Sequence, residues 1–386
     1  KFLNNKQKNP LGLYIHWPFC QSKCPYCDFN SHVSSNIDHD AWTKAYLSEI
    51  SKNHRHSSEK ILNTVFFGGG TPSLMPSKTI EAIINHILAL WKTSNQLEVT
   101  LEANPTSIDV SRFKEYKSAG VNRVSIGVQS LDDMSLKYLG RLHTGKDAVT
   151  AVQTAQSIFD RVSFDLIYAR QNQTIKDWEK ELLSALSLGT NHMSLYQLTI
   201  EDGTVFGDRA KIGKLPGLPS EDLSADMYTL TQEIMNNNRL PLYEVSNHAF
   251  PGEESHHNLI YWRGGDFIGI GPGAHGRYYE GSKRKATVMT KSPNKWLSQI
   301  DKVGHGAEPT TILSKSEEAL EYLMMSARLV EGTDLKFLES LDLNLVKHKN
   351  IKGLIELGVI LIKNERMILT PKGRPILNSV LSELIS

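Results

Sequence analysis

Six short apolar runs, each followed by a stretch with helical spacing, constrain this 386-residue chain more than any other feature. The runs are Leu13–His16, Thr64–Phe67, Leu97–Leu101, Arg123–Val128, Val162–Ile167 and His192–Tyr196. The clearest intervening stretch puts Ile80, Ile83, Ile84, Ile87, Leu88 and Trp91 on one stripe at three- and four-residue spacing. Strands separated by helices form βα units, so the pattern predicts a parallel sheet with right-handed crossovers. Six such units make an open, partial (β/α)6 barrel of the α/β class. In folds of this kind the chemistry gathers at the C-terminal ends of the strands.

Beyond Thr199 the pattern loosens. Gly207–Pro219 holds three Gly and two Pro and reads as a loop. Helical spacing returns over Glu221–Asn237, and Pro241–Ser246 reads as a further strand. His256–Gly276, rich in Gly, His and aromatics, reads as irregular and site-lining. From about Ser314 three helical segments precede a hairpin signal, Val359–Ile362 and Met367–Leu369 about the turn-like Lys363-Asn364-Glu365. Pro371 opens a last helix, and helices with a hairpin resemble a winged-helix module. The expected division is a barrel over residues 1–200, a connecting extension over 201–310 and a mainly helical, winged-helix-like domain over 311–386.

Charge bounds the partners. Lys plus Arg is 43 and Asp plus Glu is 42, a net +1 that offers no attraction to nucleic acid or an anionic membrane. Glu308–Ser386 carries ten Lys/Arg against eleven Asp/Glu, so the winged-helix-like segment reads as a docking or lid element rather than a DNA reader. Apolar runs fall far short of the roughly 20 residues that span a bilayer. Lys1–Pro10 is polar and basic with no apolar core after it, unlike a secretory signal.

The chain has three cysteines, Cys20, Cys24 and Cys27, all within eight positions. An odd, clustered set is a poor disulfide framework and a good metal or cluster site, which implies a reducing, cytoplasmic compartment. The spacing is C-x3-C-x2-C on a loop directly after the first strand. Three thiolates can hold three irons of a [4Fe–4S] cubane and leave the fourth open for a non-protein ligand. The competing reading is a zinc site of three Cys and one His, with His16 or His32 as the fourth ligand.

Other polar motifs fall at successive strand ends. Phe67-Gly68-Gly69-Gly70-Thr71-Pro72-Ser73 offers a ligand bare backbone, yet lacks the Lys of a triphosphate-binding loop. Glu102-Ala103-Asn104-Pro105 ends the third strand, Gly127-Val128-Gln129-Ser130 the fourth, with Arg141 twelve residues beyond Gln129, and Asp165 lies near the end of the fifth. Together they read as one ligand cup.

With these motifs the chain resembles the radical S-adenosylmethionine (SAM) superfamily, and within it the oxygen-independent coproporphyrinogen III oxidase group. The matching segments are Tyr14-Ile15-His16, the Cys loop, Gly68–Ser73, Glu102–Pro105, Gly120–Ser130 and Arg141-Leu142-His143. The resemblance implies that Cys20, Cys24 and Cys27 hold a [4Fe–4S] cluster and that SAM chelates its open iron. It further implies that the Gly68-Gly69-Gly70-Thr71 segment receives the SAM amino group, that Glu102 and Arg141 steer its charged ends, and that Gln129 and Asp165 bind polar and ribose hydroxyl groups. Tyr14 and Tyr26 would pack near the cluster and adenosyl moiety.

Two departures separate the chain from the oxidase pattern. Phe29 stands two positions after the last cysteine, where the oxidase has a further Cys, and little chain precedes the Cys loop. Both features resemble the HemW branch, a family of heme chaperones. His257-Asn258-Leu259-Ile260-Tyr261-Trp262 matches the H-N-x-x-Y-W signature associated with heme in that family, which implies His257, Asn258, Tyr261 and Trp262 as a heme site. Imidazole is a common axial ligand and aromatic faces suit a porphyrin plane. His256 and His275 remain alternative ligands. The expected partners are heme and heme-accepting proteins, with peripheral contact to membrane-bound hemoproteins. A radical SAM enzyme acting on a tetrapyrrole is the competing function.

Overall fold

The computed structural model describes residues 10–386. The basic segment read at the N-terminus thus lies almost wholly outside the described residues. Eleven strands form one sheet, numbered here β1 (Leu11–Trp17), β2 (Ile61–Gly69), β3 (Lys92–Ala103), β4 (Arg123–Gln129), β5 (Arg161–Tyr168), β6 (His192–Gln197), β7 (Asn247–Ala249), β8 (Asp266–Ile270), β9 (His275–Glu280), β10 (Lys283–Val288) and β11 (Thr311–Ile312). Their order is β11-β10-β9-β8-β1-β2-β3-β4-β5-β6-β7. All neighbours from β1 to β6 pair in parallel, which is the expected partial barrel.

Helices α1 (His39–His54), α2 (Ser77–Leu90), α3 (Val110–Ser118), α4 (Gly145–Gln156) and α5 (Ile175–Leu186) link the parallel strands. β1 is buried at six of its seven positions, because crossover helices cover one face and the barrel interior the other. α2 buries Ile80, Ile83, Ile84 and Ile87, each stabilising the layer by about 1.5–3 kcal/mol. Leu88, placed on the same stripe from sequence, is instead 46% exposed, since it lies a further 100° round the helix from Ile87.

Three stretches beyond β6 differ from expectation. Gly207–Pro219 is not wholly loop: Thr204 caps a short helix, Val205–Lys211, that runs into it. Pro241–Ser246 forms no regular strand and makes only isolated bridges, Leu242 to His248 and Glu244 to Leu329. Pro241 has no N–H to donate, and the Glu244 carboxylate accepts from Asn247 and the Ser246 N–H in a local turn. The pairing falls instead to β7, antiparallel to β6. His256–Gly276 is ordered rather than irregular. It contains helix α6 (His256–Trp262), capped by Ser255, and β8, which pairs in parallel with β1 and adds a seventh parallel strand. β8 begins with the buried Asp266, held by Arg284 at 2.5 Å and by Lys60.

The C-terminal segment builds its own core around Leu323, Leu338, Leu354, Met367 and Leu384. Helices Lys315–Ser326, Leu335–Leu341, His348–Glu356 and Leu377–Ile385 surround a three-stranded sheet in the order Thr333–Asp334, Arg366–Leu369, Ile360–Lys363. Its hairpin turns on Asn364 and Glu365, both at positive φ (51° and 63°), the geometry that matches strand twist in a two-residue turn. Arg263 and Glu331 join this segment to the barrel by two hydrogen bonds of 2.9 Å.

Candidate functional site

The loop after β1 is set by backbone pairing before any ligand is considered. Phe19–Cys20 pairs with His32–Val33, and the Gly70 and Thr71 N–H groups donate to the carbonyls of Trp17 (2.7 Å) and Phe19 (2.9 Å). A Cβ on Gly70 would stand 2.6 Å from the Phe19 carbonyl oxygen, so only glycine admits this approach, and Gly69 adopts φ 110° beside it. Asn30 pins the far side by donating to the carbonyls of Pro272 (3.0 Å) and Lys291 (2.9 Å). Between these anchors Cys20, Cys24 and Cys27 are half-buried around one opening.

That opening is a pocket of about 560 Å³ at the C-terminal ends of the strands. Cys20, Cys24, Cys27, Tyr26, Gly69, Gly70, Thr71, Glu102, Gln129, Arg141 and Asp165 line it, so residues 20 to 165 of the sequence reading meet in one place. Tyr14 and Gly68 do not: they form the layer beneath, a Gly68 Cβ meeting the Tyr14 ring at 2.8 Å. Ser125, Tyr196 and Ser246 also line the pocket and were not read from sequence, although the strand-end rule applied to β6 points to Tyr196.

Polar groups converge on the thiols. Arg141 donates from Nη1 to Cys24 Sγ at 3.4 Å and from Nη2 to the Gly127 carbonyl at 2.9 Å, while the Thr71 hydroxyl donates to Cys20 Sγ at 3.4 Å. Arg141 Nε is buried with no partner among the described residues. Gln129 sits at φ 68° where the β4 register shifts, the strained backbone that turns a strand end into a cup. Glu102 accepts the Gly69 N–H at 3.2 Å; burial, then the nearby Asp165, push its carboxyl up to about 8. Burial likewise raises Asp165 to about 6, against hydrogen bonding from Ser194.

His16 and His32 are committed away from the thiols, His16 to Tyr14 (3.1 Å) and the Asn30 carbonyl (2.9 Å), His32 to the Asn30 side chain (3.1 Å). Among the described residues no three His, Cys, Asp or Glu side chains close to the spacing of a single bound ion.

The opposite end of the barrel carries α6. His257 is 2% exposed, its Nδ1 lying 2.7 Å from the Thr64 hydroxyl and its Nε2 2.8 Å from the Tyr261 hydroxyl, and it stacks on Phe66 at 4.9 Å. Both ring nitrogens are therefore engaged, unlike the free ligand expected from a loop. Asn258 donates to the Tyr243 hydroxyl at 3.4 Å, and Arg328 lies over the Trp262 ring at 5.6 Å. Glu98 receives the His256 and His257 N–H groups (3.2 and 3.0 Å) and Arg161 (2.6 Å). Burial pushes the Glu98 carboxyl up, but Arg123, Arg161 and these donors outweigh it and hold the group below its usual range. His256 keeps its side chain 40% exposed, on a groove of about 780 Å³ that Leu259, Ile260, Arg263, Tyr279 and Phe337 also line. His275 is exposed at the start of β9, at the end of the barrel that holds the Cys loop.

A partial parallel barrel with three clustered cysteines above its strand ends is the architecture of radical SAM proteins, and residues 14–184 match the model of the Radical SAM superfamily. Residues 313–376 match the HemN C-terminal domain. The chain is 36% identical to the heme chaperone HemW of Escherichia coli (strain K12), covering 84% of each chain. It is also 36% identical to the mitochondrial radical S-adenosyl methionine domain-containing protein 1 of Bos taurus, over 97% of this chain and 87% of that one. The chain belongs to the HemW family of radical SAM proteins. The solved coproporphyrinogen III oxidase (HemN) of Escherichia coli shares the fold, with a TM-score of 0.82 over 99% of this chain at 19% identity. No helix among the described residues is long and apolar enough to cross a membrane.

Proposed function

We propose that this protein is a heme chaperone whose barrel also holds a [4Fe–4S] cluster and SAM. The observation that carries the reading is 36% identity with a heme chaperone across 84% of both chains. The donor set of the pocket suits a cluster: three thiols, with Arg141 and Thr71 hydrogen bonded to two of the sulfurs, and with His16 and His32, the candidate fourth ligands of a zinc site, hydrogen bonded elsewhere. When bound, the cluster and SAM supply one-electron radical chemistry. Within the pocket Gly69, Gly70 and Glu102 would hold a cationic ligand end and the Arg141 guanidinium an anionic one, while Gln129, Asp165 and Tyr26 bound the remaining wall.

Heme belongs to the α6 end, and heme-accepting proteins, membrane-bound hemoproteins among them, are the proposed recipients. The unpaired thiols suit a reducing compartment such as the cytoplasm. Phe29, 58% exposed on the pocket, offers no ionisable group where the oxidase carries a thiol. Anaerobically reconstituted protein should bind heme in a titration and leave coproporphyrinogen III unchanged in the presence of SAM and a reductant. Conversion to protoporphyrinogen IX would overturn the chaperone reading in favour of a tetrapyrrole-modifying enzyme.

A further inference from the structure

We infer that a cavity at the N-terminal ends of β4, β5 and β6 is a second binding site, built for the carboxylate of a small molecule. Each of these strands begins on a basic residue, Arg123, Arg161 and His192 in turn. The register sets Arg123 beside Arg161, and like charges placed opposite one another repel. All three residues line one cavity of about 260 Å³. It shares no lining residue with the cysteine pocket or with the α6 groove, so it stands apart from the ligands proposed above.

The two arginines are used differently. Arg161 is satisfied, donating to the carboxylates of Glu98 (2.6 Å) and Glu253 (3.2 Å) and to the carbonyls of Glu253 (3.1 Å) and Glu254 (2.8 Å). Arg123 is 3% exposed, yet no carboxylate among the described residues forms an ion pair with it. Glu98 feels its charge, but the Glu98 oxygens are taken by Arg161 and the α6 N–H groups. Among the described residues Arg123 makes one hydrogen bond, from Nη2 to the Ser163 hydroxyl at 2.9 Å. Ser163 in turn donates to Ser125 at 3.0 Å, which fixes the direction of the contact. A guanidinium carries five donors, and a charge buried this deeply is normally paired. Most of the Arg123 fork is left to a ligand.

Two neutral donors belong to the same cavity. His192 is 4% exposed, and its Nε2 lies 3.0 Å from the Tyr243 hydroxyl. Asn258 donates to that hydroxyl, so the Tyr243 proton goes to Nε2 and the imidazole carries its own proton on Nδ1. Burial, then the charges of Arg123 and Arg161, keep the ring neutral. His192 Nδ1 is buried without a partner among the described residues, and so is the hydroxyl of Thr190, which also lines the cavity. Buried polar groups are normally hydrogen bonded, so two orphans beside an unpaired guanidinium call for an anionic acceptor. The exposed Asp160 and the half-exposed Glu253 on the remaining wall repel a dianion such as phosphate and tolerate a single charge. A planar carboxylate matches the planar fork of an arginine. The volume lies just under the roughly 300 Å³ at which drug-sized pockets begin, which limits the ligand to a small molecule.

The test is a titration of the full chain with acetate to about 50 mM at fixed ionic strength, followed by saturation-transfer NMR of the acetate methyl group and by Tm. Wild type should bind saturably, and its Tm should rise as acetate is added. Arg123→Gln should weaken binding by at least about tenfold, the effect of losing a charge-assisted hydrogen bond. Thr190→Val keeps shape and charge and should weaken binding by about threefold, a neutral hydrogen bond, which covers the case of an arginine variant that fails to fold. Asp160→Asn should strengthen binding, and inorganic phosphate should bind less tightly than acetate. A wild type that shows no saturable acetate binding overturns the site and leaves the cavity to water. Wild-type affinity in a folded Arg123→Gln, or in Thr190→Val, overturns it as well. Phosphate binding tighter than acetate overturns the carboxylate assignment.

Discussion

The Nδ1 atom of His257 lies 2.7 Å from the Thr64 hydroxyl, and this contact fastens helix α6 to the second strand of the barrel. The second ring nitrogen is held one helical turn away by Tyr261. Desolvation drives the imidazole down to about 3, so the ring is neutral at every physiological pH. A histidine used in this way is a buried polar bracket.

Removing the bracket should therefore cost stability. His257→Ala leaves a cavity beside Phe66 and strips partners from Thr64 and Tyr261, a loss of roughly 2–5 kcal/mol. The urea midpoint should fall accordingly. A double-mutant cycle with Thr64→Val should return a coupling of at least about 0.5 kcal/mol. Full additivity would mean that the Thr64–His257 contact contributes nothing.

The cysteine loop makes a compositional prediction. Anaerobically reconstituted protein should contain about four irons and four sulfides per chain, following cubane stoichiometry, and Cys24→Ser should lose most of both. Stoichiometric zinc without iron in anaerobically purified protein would restore the mononuclear alternative.

Glu102 makes the SAM site pH-dependent. Its carboxyl, raised to about 8, is mostly protonated at pH 7 before SAM binds, whereas a cationic ligand end requires the carboxylate. Affinity for SAM should rise with pH up to about 8 and then level. Binding at pH 7 should release close to about one proton, measurable by calorimetry in buffers of different ionisation enthalpy. Glu102→Gln should abolish the release and weaken binding while retaining the cluster. Proton-neutral binding by the wild type would remove Glu102 from this role.

Glu49 on α1, which lines neither the cysteine pocket nor the α6 groove, offers a stability measurement. Its carboxylate accepts N–H groups from Gly271 (2.9 Å), Gly306 (2.9 Å) and Trp296 (3.1 Å), yet burial still pushes it up to about 7. The folded state then holds a proton that the unfolded state has lost between about pH 4.5 and 7. Its contribution is complete below the lower value and falls as pH rises through that window, by about 1.4 kcal/mol per pH unit. The stability of wild type relative to Glu49→Gln should fall on this slope from pH 5 to 7. A pH-independent difference would show that the three donors keep the carboxylate ionised.

Much of this protein is local in origin. Six apolar runs specify the parallel strands because each buried strand must be apolar over successive residues, whatever its neighbours. Three thiols in eight positions, the glycines Gly69 and Gly70 and polar residues at strand ends converge on one pocket because parallel βα units place all their strand ends on one side. Other features depend on partners far away in the chain. β8 is a strand because Asp266–Ile270 finds the free edge of β1, some 250 residues earlier, and Lys60 with Arg284 neutralises its leading carboxylate. Seven residues of α6 are too few to display a helical period, so no pattern distinguishes the buried His257 from the half-exposed His256 beside it. Only the packing of α6 across the mouth of the barrel, with Thr64 on one side and the C-terminal Phe337 on the other, decides which imidazole is a bracket and which faces the groove.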